Sequence, residues 1–258
     1  MAALWALLAS ACTCERQQPG ASARPSEPQP AHSEQDDDWR AGRLPESVRA
    51  GSPRPGGELV IGVDVEPPSL NVIVTSDWLA KRIVLSRVYQ ALVTVDGADD
   101  PRYQIVPQLA ERWEVSADGR TYTFHLRRDV QWHDGQRFSA RDVLATLDKV
   151  LDPQVDAAAT RADFSELARY HAPDDATVVL EWKAPYFLVL DAPSDLTIQP
   201  AHVIAKLDAR AYNESATNPL NRAPIGTGPF KLERWESHSQ IVLARNPSYW
   251  GTAAYLER

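Results

Sequence analysis

The chain has 258 residues, of which 43% are hydrophobic and 24% charged, with a formal net charge of -8. This composition is ordinary for a globular protein, and the length allows one large domain or two smaller ones. The acidic balance excludes nucleic acid as the expected partner, because phosphate binding needs clustered lysine and arginine residues that the sequence lacks.

The first 14 residues, MAALWALLASACTC, have the pattern of an export signal. Their apolar run is far too short to span a bilayer but fits the apolar region of a signal peptide. Leu-Ala-Ser-Ala-Cys is typical of a lipoprotein cleavage site and predicts acylation of Cys12, with Cys14 as the alternative. An untargeted terminus is the other interpretation. The two cysteines exclude a disulfide framework and a cysteine-based zinc site.

Residues 15–55 are rich in proline, serine, glutamine and charge. Such a segment cannot bury enough apolar surface to offset the entropy lost on ordering, so we expect a disordered tether. Behind a lipid-modified cysteine, a tether of this kind would hold a folded domain clear of the membrane.

The predicted folded part begins at Gly56. Residues 58–65 form a short run rich in β-branched side chains, which predicts a buried first strand. Residues 78–92 carry apolar side chains at a 3.6-residue period, which predicts an amphipathic helix. Asp118 and Gly119 separate two alternating runs, 113–116 and 121–126, and predict a hairpin.

The second half alternates in the same way. Ser139 followed by Asp142 predicts a capped helix that Pro153 ends. Residues 177–182 predict a strand, 198–207 a further helix, and 230–235 with 240–244 a pair of strands. Strands and helices therefore interleave, and the class is α/β or α+β.

No catalytic or metal site is predicted. None of the six histidines has a second histidine at i+2, i+3 or i+4, and no G-x-S-x-G nucleophile motif occurs. The stretch IGTGPFKLERW, residues 225–235, lacks the third glycine of a dinucleotide loop and continues as a strand. Gly226 and Gly228 are therefore interpreted as turn residues.

Four longer segments share a characteristic order and spacing. They are GGELVIGVDVEPPSLN, VYQALVTVDG, VPQLAERWEVSADGRTYTFHLRRDVQWHDGQRFSARDVLATLDKVLDP and IGTGPFKLERWESHSQIVLARNPSYWG. Together they resemble the family 5 extracellular solute-binding proteins of ABC importers, the group of dipeptide-, oligopeptide- and nickel-binding proteins.

The resemblance implies a type II periplasmic-binding-protein-like fold, in which two α/β lobes close on a ligand and the first lobe carries an inserted extra domain. Residues 56–90 and 199–258 would belong to the first lobe and residues 91–198 to the extra domain. Since complete members continue past the Asn-Pro-x-Tyr-Trp block, we expect the fold to be incomplete, with the second lobe missing.

The implied function is non-catalytic binding of peptides for an ABC importer, without a cofactor. The partners would be a permease and ATPase complex and, through the lipid anchor, the membrane, at its periplasmic or extracellular face. We expect a monomer. Nickel chelates or other small solutes are alternative ligands, and a peptide-presenting sensory or chaperone-like module is an alternative function.

The resemblance also implies where a ligand would lie. The loop after Leu70-Asn71 lines the cleft in relatives, so Thr75, Ser76, Asp77 and Trp78 are the candidate ligand-binding residues. Trp78 offers an apolar face with a polar N–H, and Asp77 could pair with a cationic group. The alternative interpretation makes Trp78 a core anchor at the start of the helix.

Overall fold

A computed structural model of the protein describes residues 54–96, 104–185, 189–214 and 216–258. The predicted leader with Cys12 and Cys14, and nearly all of the predicted tether, lie outside these residues. In chain order the elements are α1 (Trp78–Val84), β1 (Val93–Asp96), β2 (Gln104–Pro107), β3 (Ala110–Val115), β4 (Thr121–Leu126), α2 (Ala140–Leu151), α3 (Ala158–Asp163), β5 (Leu167–Asp174), β6 (Thr177–Trp182), α4 (Asp191–Asp195), α5 (Ala201–Ile204), α6 (Ala209–Asn213), a 3₁₀ turn (Pro219–Asn221), β7 (Phe230–Glu236) and β8 (Gln240–Arg245). No helix in this part of the chain is long and apolar enough to cross a membrane.

The central element is an antiparallel sheet in the order β3-β4-β6-β5. The predicted hairpin is confirmed as β3 and β4, with Trp113 opposite Phe124, and the turn between them places Gly119 at φ +69°. Phe124, Val178 and Leu180 are almost fully buried on one face of the sheet. Burying side chains of this size contributes about 1.5–3 kcal/mol each, so this face forms the centre of the main core.

Helix α2 begins and ends where the sequence predicts. The Asp142 carboxylate accepts a hydrogen bond from the Ser139 N–H (2.8 Å) and a second one from the Ala201 N–H (2.8 Å), so it also links α2 to α5. At the other end the Arg161 guanidinium donates to the carbonyl oxygens of Val150 (2.8 Å) and Asp152 (2.6 Å). Carbonyls that the helix leaves without partners are thereby satisfied.

The predicted first strand at residues 58–65 is wrong in this structure. The main chain at 56–59 bonds to the C-terminal residues, with the Gly56 N–H donating to the Tyr255 carbonyl (2.7 Å). Among the described residues, none forms a backbone hydrogen bond with residues 60–65. Five large apolar side chains of this run are 53–81% exposed. A strand needs a neighbour as well as a pattern, and this run has none here.

The predicted helix at residues 78–92 is shorter than its apolar period suggests. Helix α1 ends at Val84, and Ser86 adopts φ 61°. A serine in this left-handed region cannot continue a right-handed helix, so the chain turns away. The residues that follow pack instead as loop: Val88 and Tyr89 are fully buried in a second apolar cluster with Leu70.

The strand pair after the glycines is confirmed as β7 and β8, but the turn interpretation of the glycines is wrong. Neither Gly226 nor Gly228 has a positive φ. A Cβ on Gly226 would lie 1.7 Å from the Val88 carbonyl oxygen, and one on Gly228 would lie 2.3 Å from that of Arg87. The Gly228 N–H donates to the Val88 carbonyl at 3.0 Å. Close backbone approach, which only glycine permits, explains both positions.

Candidate functional site

The loop that leads into α1 is held from below by buried polar side chains. The Asn71 Oδ1 accepts hydrogen bonds from the Gln199 Nε2 (2.7 Å) and from the Ile73 N–H (3.3 Å). The Ser69 hydroxyl donates to the Asn221 Oδ1 (3.1 Å). Asn71, Gln199 and Asn221 are fully buried. The Nδ2 atoms of Asn71 and Asn221 have no hydrogen-bond partner among the described residues, but the bonds made by the other buried polar atoms hold the loop in one conformation against the core.

Two of the four candidate ligand-binding residues shape the loop itself. The Asp77 Oδ1 accepts from the Ala80 N–H at 2.7 Å and caps α1. The Thr75 hydroxyl oxygen accepts from the Asp77 N–H at 3.2 Å. A cap of this type typically contributes about 1 kcal/mol to stability, so pairing of Asp77 with a cationic ligand group would compete with capping.

The other two candidates face solvent. Ser76 is exposed, and Trp78, the first residue of α1, is 60% exposed. Leu79 and Ala80, at 3% and 0%, are the residues that anchor the helix start in the core. Trp78 is therefore not a core anchor. An exposed indole on a rigid support offers an apolar face and one N–H donor to whatever lies against it.

A hydrogen-bond centre that sequence reasoning missed lies at Gln90. Its Oε1 accepts from the Trp250 Nε1 (2.9 Å) and the Thr227 hydroxyl (3.0 Å), and its Nε2 donates to the Tyr249 hydroxyl (3.1 Å). The Arg127 guanidinium lies 4.3 Å above the Trp250 ring. The only sequence signal for this centre was that its residues fall in three of the matching segments.

His133 joins the same region from the turn before α2. The Gly226 N–H donates to the Nδ1 of His133 (3.1 Å), so the proton resides on Nε2, which donates to the Gly228 carbonyl (3.1 Å). Burial lowers the pKa of His133 to about 4, against an ordinary value of 6.5. The neutral His133 ring thus holds the IGTG segment in place through hydrogen bonds to Gly226 and Gly228.

An open groove of about 560 Å³ lies beside Glu66 and Arg222. The Glu66 carboxylate accepts from the Trp235 Nε1 (2.5 Å) and the His238 N–H (3.0 Å), and these bonds lower its pKa. The Arg222 guanidinium stacks 3.7 Å above the Trp235 ring. Since these groups satisfy one another, the groove presents few free polar groups to a ligand.

Direct metal ligation has no geometric support in the part of the chain that the structure describes. Those residues contain no group of three or more histidine, cysteine, aspartate or glutamate side chains able to hold a metal ion. The buried Asp142 has a raised pKa because of its burial, but backbone N–H groups occupy both carboxylate oxygens. The loop before α1 presents Ser76 and Trp78 to solvent.

The mixed helix and strand fold matches that of solved periplasmic and oligopeptide-binding proteins. The family described as bacterial extracellular solute-binding proteins, family 5 Middle, matches residues 104–258. The chain therefore belongs to this family, and the family resemblance found in the sequence is confirmed.

Three known proteins illustrate the likeness. The dipeptide-binding protein of Escherichia coli (strain K12) is 33% identical over 173 residues, which cover 60% of this chain and 31% of that protein. The oligopeptide-binding protein AppA of Bacillus subtilis, solved with a nonapeptide, matches with a TM-score of 0.70 and 26% identity over 80% of this chain and 40% of that one.

The third, NikZ of Campylobacter jejuni, solved in complex with Ni(L-His), has a TM-score of 0.62 and 26% identity, covering 74% of this chain and 36% of that one. The chain thus spans about a third of the length of the relatives that it matches.

Proposed function

We propose that the chain is part of the solute-binding component of an ABC importer, that it binds peptides, and that it has no catalytic activity. The observation that carries the proposal is the rigid loop that presents Ser76 and Trp78 to solvent in a family 5 chain. The dipeptide-binding and nonapeptide-bound relatives support peptides as the solute.

The mechanism follows from the loop's rigidity. Because Asn71 and Gln199 hold the loop in place, a ligand meets a surface that need not be ordered on binding, which lowers the entropic cost. The Trp78 indole would cover an apolar side chain of the peptide, and its N–H and the Ser76 hydroxyl would bond to peptide carbonyls. Contacts of this kind tolerate many side chains.

The wider setting is proposed on the same basis. Residues 56–90 and 199–258 would belong to one lobe and residues 91–198 to an extra domain. A permease and ATPase complex would receive the solute. A lipid on Cys12 would anchor the protein to the periplasmic or extracellular face of the cell membrane. The family name, extracellular solute-binding protein, supports this location.

A nickel chelate is the second candidate ligand, because NikZ, solved with Ni(L-His), is among the structural matches. The described residues of this chain contain no cluster able to hold the metal directly. Such a chelate would have to be bound through its organic part, against the same Trp78 face.

Isothermal titration of the full chain tests the proposal. The ligands are an equimolar mixture of di- and tripeptides, the corresponding free amino acids, and nickel-histidine. We expect heat with the peptide mixture and a loss of about fivefold or more in affinity in Trp78→Ala, since aromatic anchors dominate small contacts. Tyr255→Ala, which removes another half-exposed aromatic ring, is the matched control. Absence of heat with every peptide, or an unaltered affinity in Trp78→Ala, would contradict the proposal.

A further inference from the structure

Four asparagine side chains are buried in the part of the chain that the structure describes, and they differ in their hydrogen bonding. They are Asn71, Asn218, Asn221 and Asn246. The Nδ2 of Asn218 donates to the Tyr212 carbonyl (2.9 Å), and that of Asn246 donates to the Gly228 carbonyl (3.0 Å). The Nδ2 atoms of Asn71 and Asn221 have no hydrogen-bond partner among the described residues. A buried donor without an acceptor is costly and rare in native proteins, so these two amides need a further partner.

The two unpaired amides are each one hydrogen bond away from Ser69. The Asn71 N–H donates to the Ser69 Oγ (3.0 Å), and the Ser69 hydroxyl donates to the Asn221 Oδ1 (3.1 Å). The Leu70 N–H donates to the Asn221 carbonyl (2.8 Å). Asn71 and Asn221 are both 0% exposed, so bulk solvent does not reach them. They therefore belong to one buried polar region under residues 69–71, where the chain enters the loop before α1.

Rotating either amide by half a turn does not supply the missing partner. The Asn71 Oδ1 accepts from the Ile73 N–H (3.3 Å), and a rotated Asn71 would set its own N–H groups against this donor. A rotated Asn221 would donate to the Ser69 Oγ and leave its oxygen unpaired instead. In either orientation one polar atom of each side chain stays without a protein partner.

The chemistry of the region favours a neutral partner over an ion. The side-chain hydrogen bonds of Asn71 and Asn221 in the described part of the chain run to Ser69, to Gln199 and to the Ile73 N–H, and none involves a charged group. A buried anion would need a cation beside it to offset the loss of its hydration. A neutral molecule that can both accept and donate hydrogen bonds has no such requirement.

The Tyr212 hydroxyl offers the other end of a bridge. This hydroxyl donates to the Gln199 Oε1 (2.6 Å), which leaves its oxygen free to accept. Burial raises the pKa of Tyr212, and the Asn71 amide acts against this rise, so the amide lies close to the hydroxyl although no direct hydrogen bond joins them. A molecule between the two groups could accept from the amide and donate to the hydroxyl oxygen.

We propose that water enclosed in the protein accepts hydrogen bonds from the Nδ2 groups of Asn71 and Asn221 and forms part of the support under the loop before α1. Water is neutral, small enough for a closed site, and able to accept and donate at once. Globular proteins hold about one buried water per 27 residues, so enclosed water is ordinary in a chain of this length. The inference goes beyond the proposed function, because it holds whatever solute the loop contacts.

Water-selective nuclear Overhauser spectra of the ¹⁵N-labelled full chain test the proposal residue by residue. We expect cross-peaks between water and the side-chain amide protons of both Asn71 and Asn221. The amides of Asn218 and Asn246, which are buried and paired, are the internal controls and should show none. A cross-peak at only one of the two unpaired amides, at neither, or equally at all four would overturn the inference.

Oxygen-17 relaxation dispersion separates enclosed water from exchanging hydroxyl protons of Ser69 and Tyr212, because it responds to whole water molecules. Asn221→Leu removes one amide and fills its space, and should lower the dispersion amplitude by at least one long-lived water per protein. Asn213→Leu, at an asparagine on the surface of α6, is the matched control and should leave the amplitude unaltered. An unaltered amplitude in an Asn221→Leu chain whose amide spectrum shows a folded protein would contradict the proposal. If Asn221→Leu does not fold, the wild-type cross-peaks decide.

Discussion

His133 should make the protein lose stability in mild acid, and the structure gives the size of the effect. Its Nδ1 accepts the Gly226 N–H and its Nε2–H donates to Gly228. Protonation of Nδ1 would replace an acceptor by a second donor facing that N–H. His133→Gln keeps one acceptor and one donor at the end of the side chain but removes the titration.

The sign and magnitude follow from the pKa. The folded value of about 4 lies below the ordinary 6.5, so the contribution of His133 is fully present above pH 6.5 and is lost as the pH falls toward 4. The interval spans about 2.5 pH units, and each unit corresponds to about 1.4 kcal/mol. The stability that the fold loses when His133 is protonated is therefore at most about 3 kcal/mol. This is slightly below the product of the two numbers, because part of the ring still reaches solvent. This is a large share of the 5–15 kcal/mol typical of a whole domain.

The assay is urea denaturation of the wild-type chain and His133→Gln between pH 7.5 and 4. We expect the variant to be about 1–2 kcal/mol less stable at pH 7.5 and the difference to vanish or reverse near pH 4. Subtracting the two curves removes the carboxyl groups, including the oppositely acting Asp142, whose raised pKa favours the fold in acid. His125→Gln, on the hairpin strand β4, is the matched control. Parallel stability curves for wild type and His133→Gln would show that the neutral His133 ring does not stabilise the fold in this way.

Three further predictions concern the fold and the site. Gly226→Ala places a Cβ 1.7 Å from the Val88 carbonyl oxygen and should lower the free energy of unfolding, followed by thermal melting, by about 3 kcal/mol or more. The control Gly62→Ala has open space around the added Cβ and should lower it by less than about 0.5 kcal/mol. Equal losses in the two variants would contradict the close backbone approach at Gly226. The double variant Ile61→Lys, Val63→Lys should leave the melting temperature unaltered, because both side chains are exposed; a clearly lowered melting temperature would show that this run is buried in the folded protein. Asp77→Asn should retain the helix cap and its stability, while Asp77→Ala should lose about 1 kcal/mol; a similar loss in both would show that charge rather than capping matters.

Local signals in the sequence predicted the elements that depend on local physics. The hairpin has Gly119 at a positive φ, and α2 has the paired Ser139 and Asp142, so neighbouring residues alone determine these features. The prediction of a buried strand at residues 58–65 failed because a strand is buried only when another segment of the chain pairs with it. The pattern of apolar residues does not show whether such a segment is present. The glycines were misinterpreted because Val88, which approaches Gly226, lies far away in sequence.

The candidate site was predictable only in part. The family resemblance pointed to residues 75–78, of which Ser76 and Trp78 are exposed and Asp77 caps α1. The capping role of Asp77 could have been inferred, since an aspartate three residues before the Ala80 N–H is a common cap. The Gln90 centre could not, because Tyr249, Trp250 and Thr227 meet it only after folding.

Amide chemical shifts of the ¹⁵N-labelled chain, recorded while a mixture of tripeptides is added, test the central claim most directly. If peptides bind at the loop and α1, shift changes should be concentrated at residues 75–82 and include the Trp78 indole N–H. If the protein has no catalytic activity, the peptides should remain intact. Cleaved peptides, or shift changes confined to the groove beside Glu66 and Arg222, would contradict it.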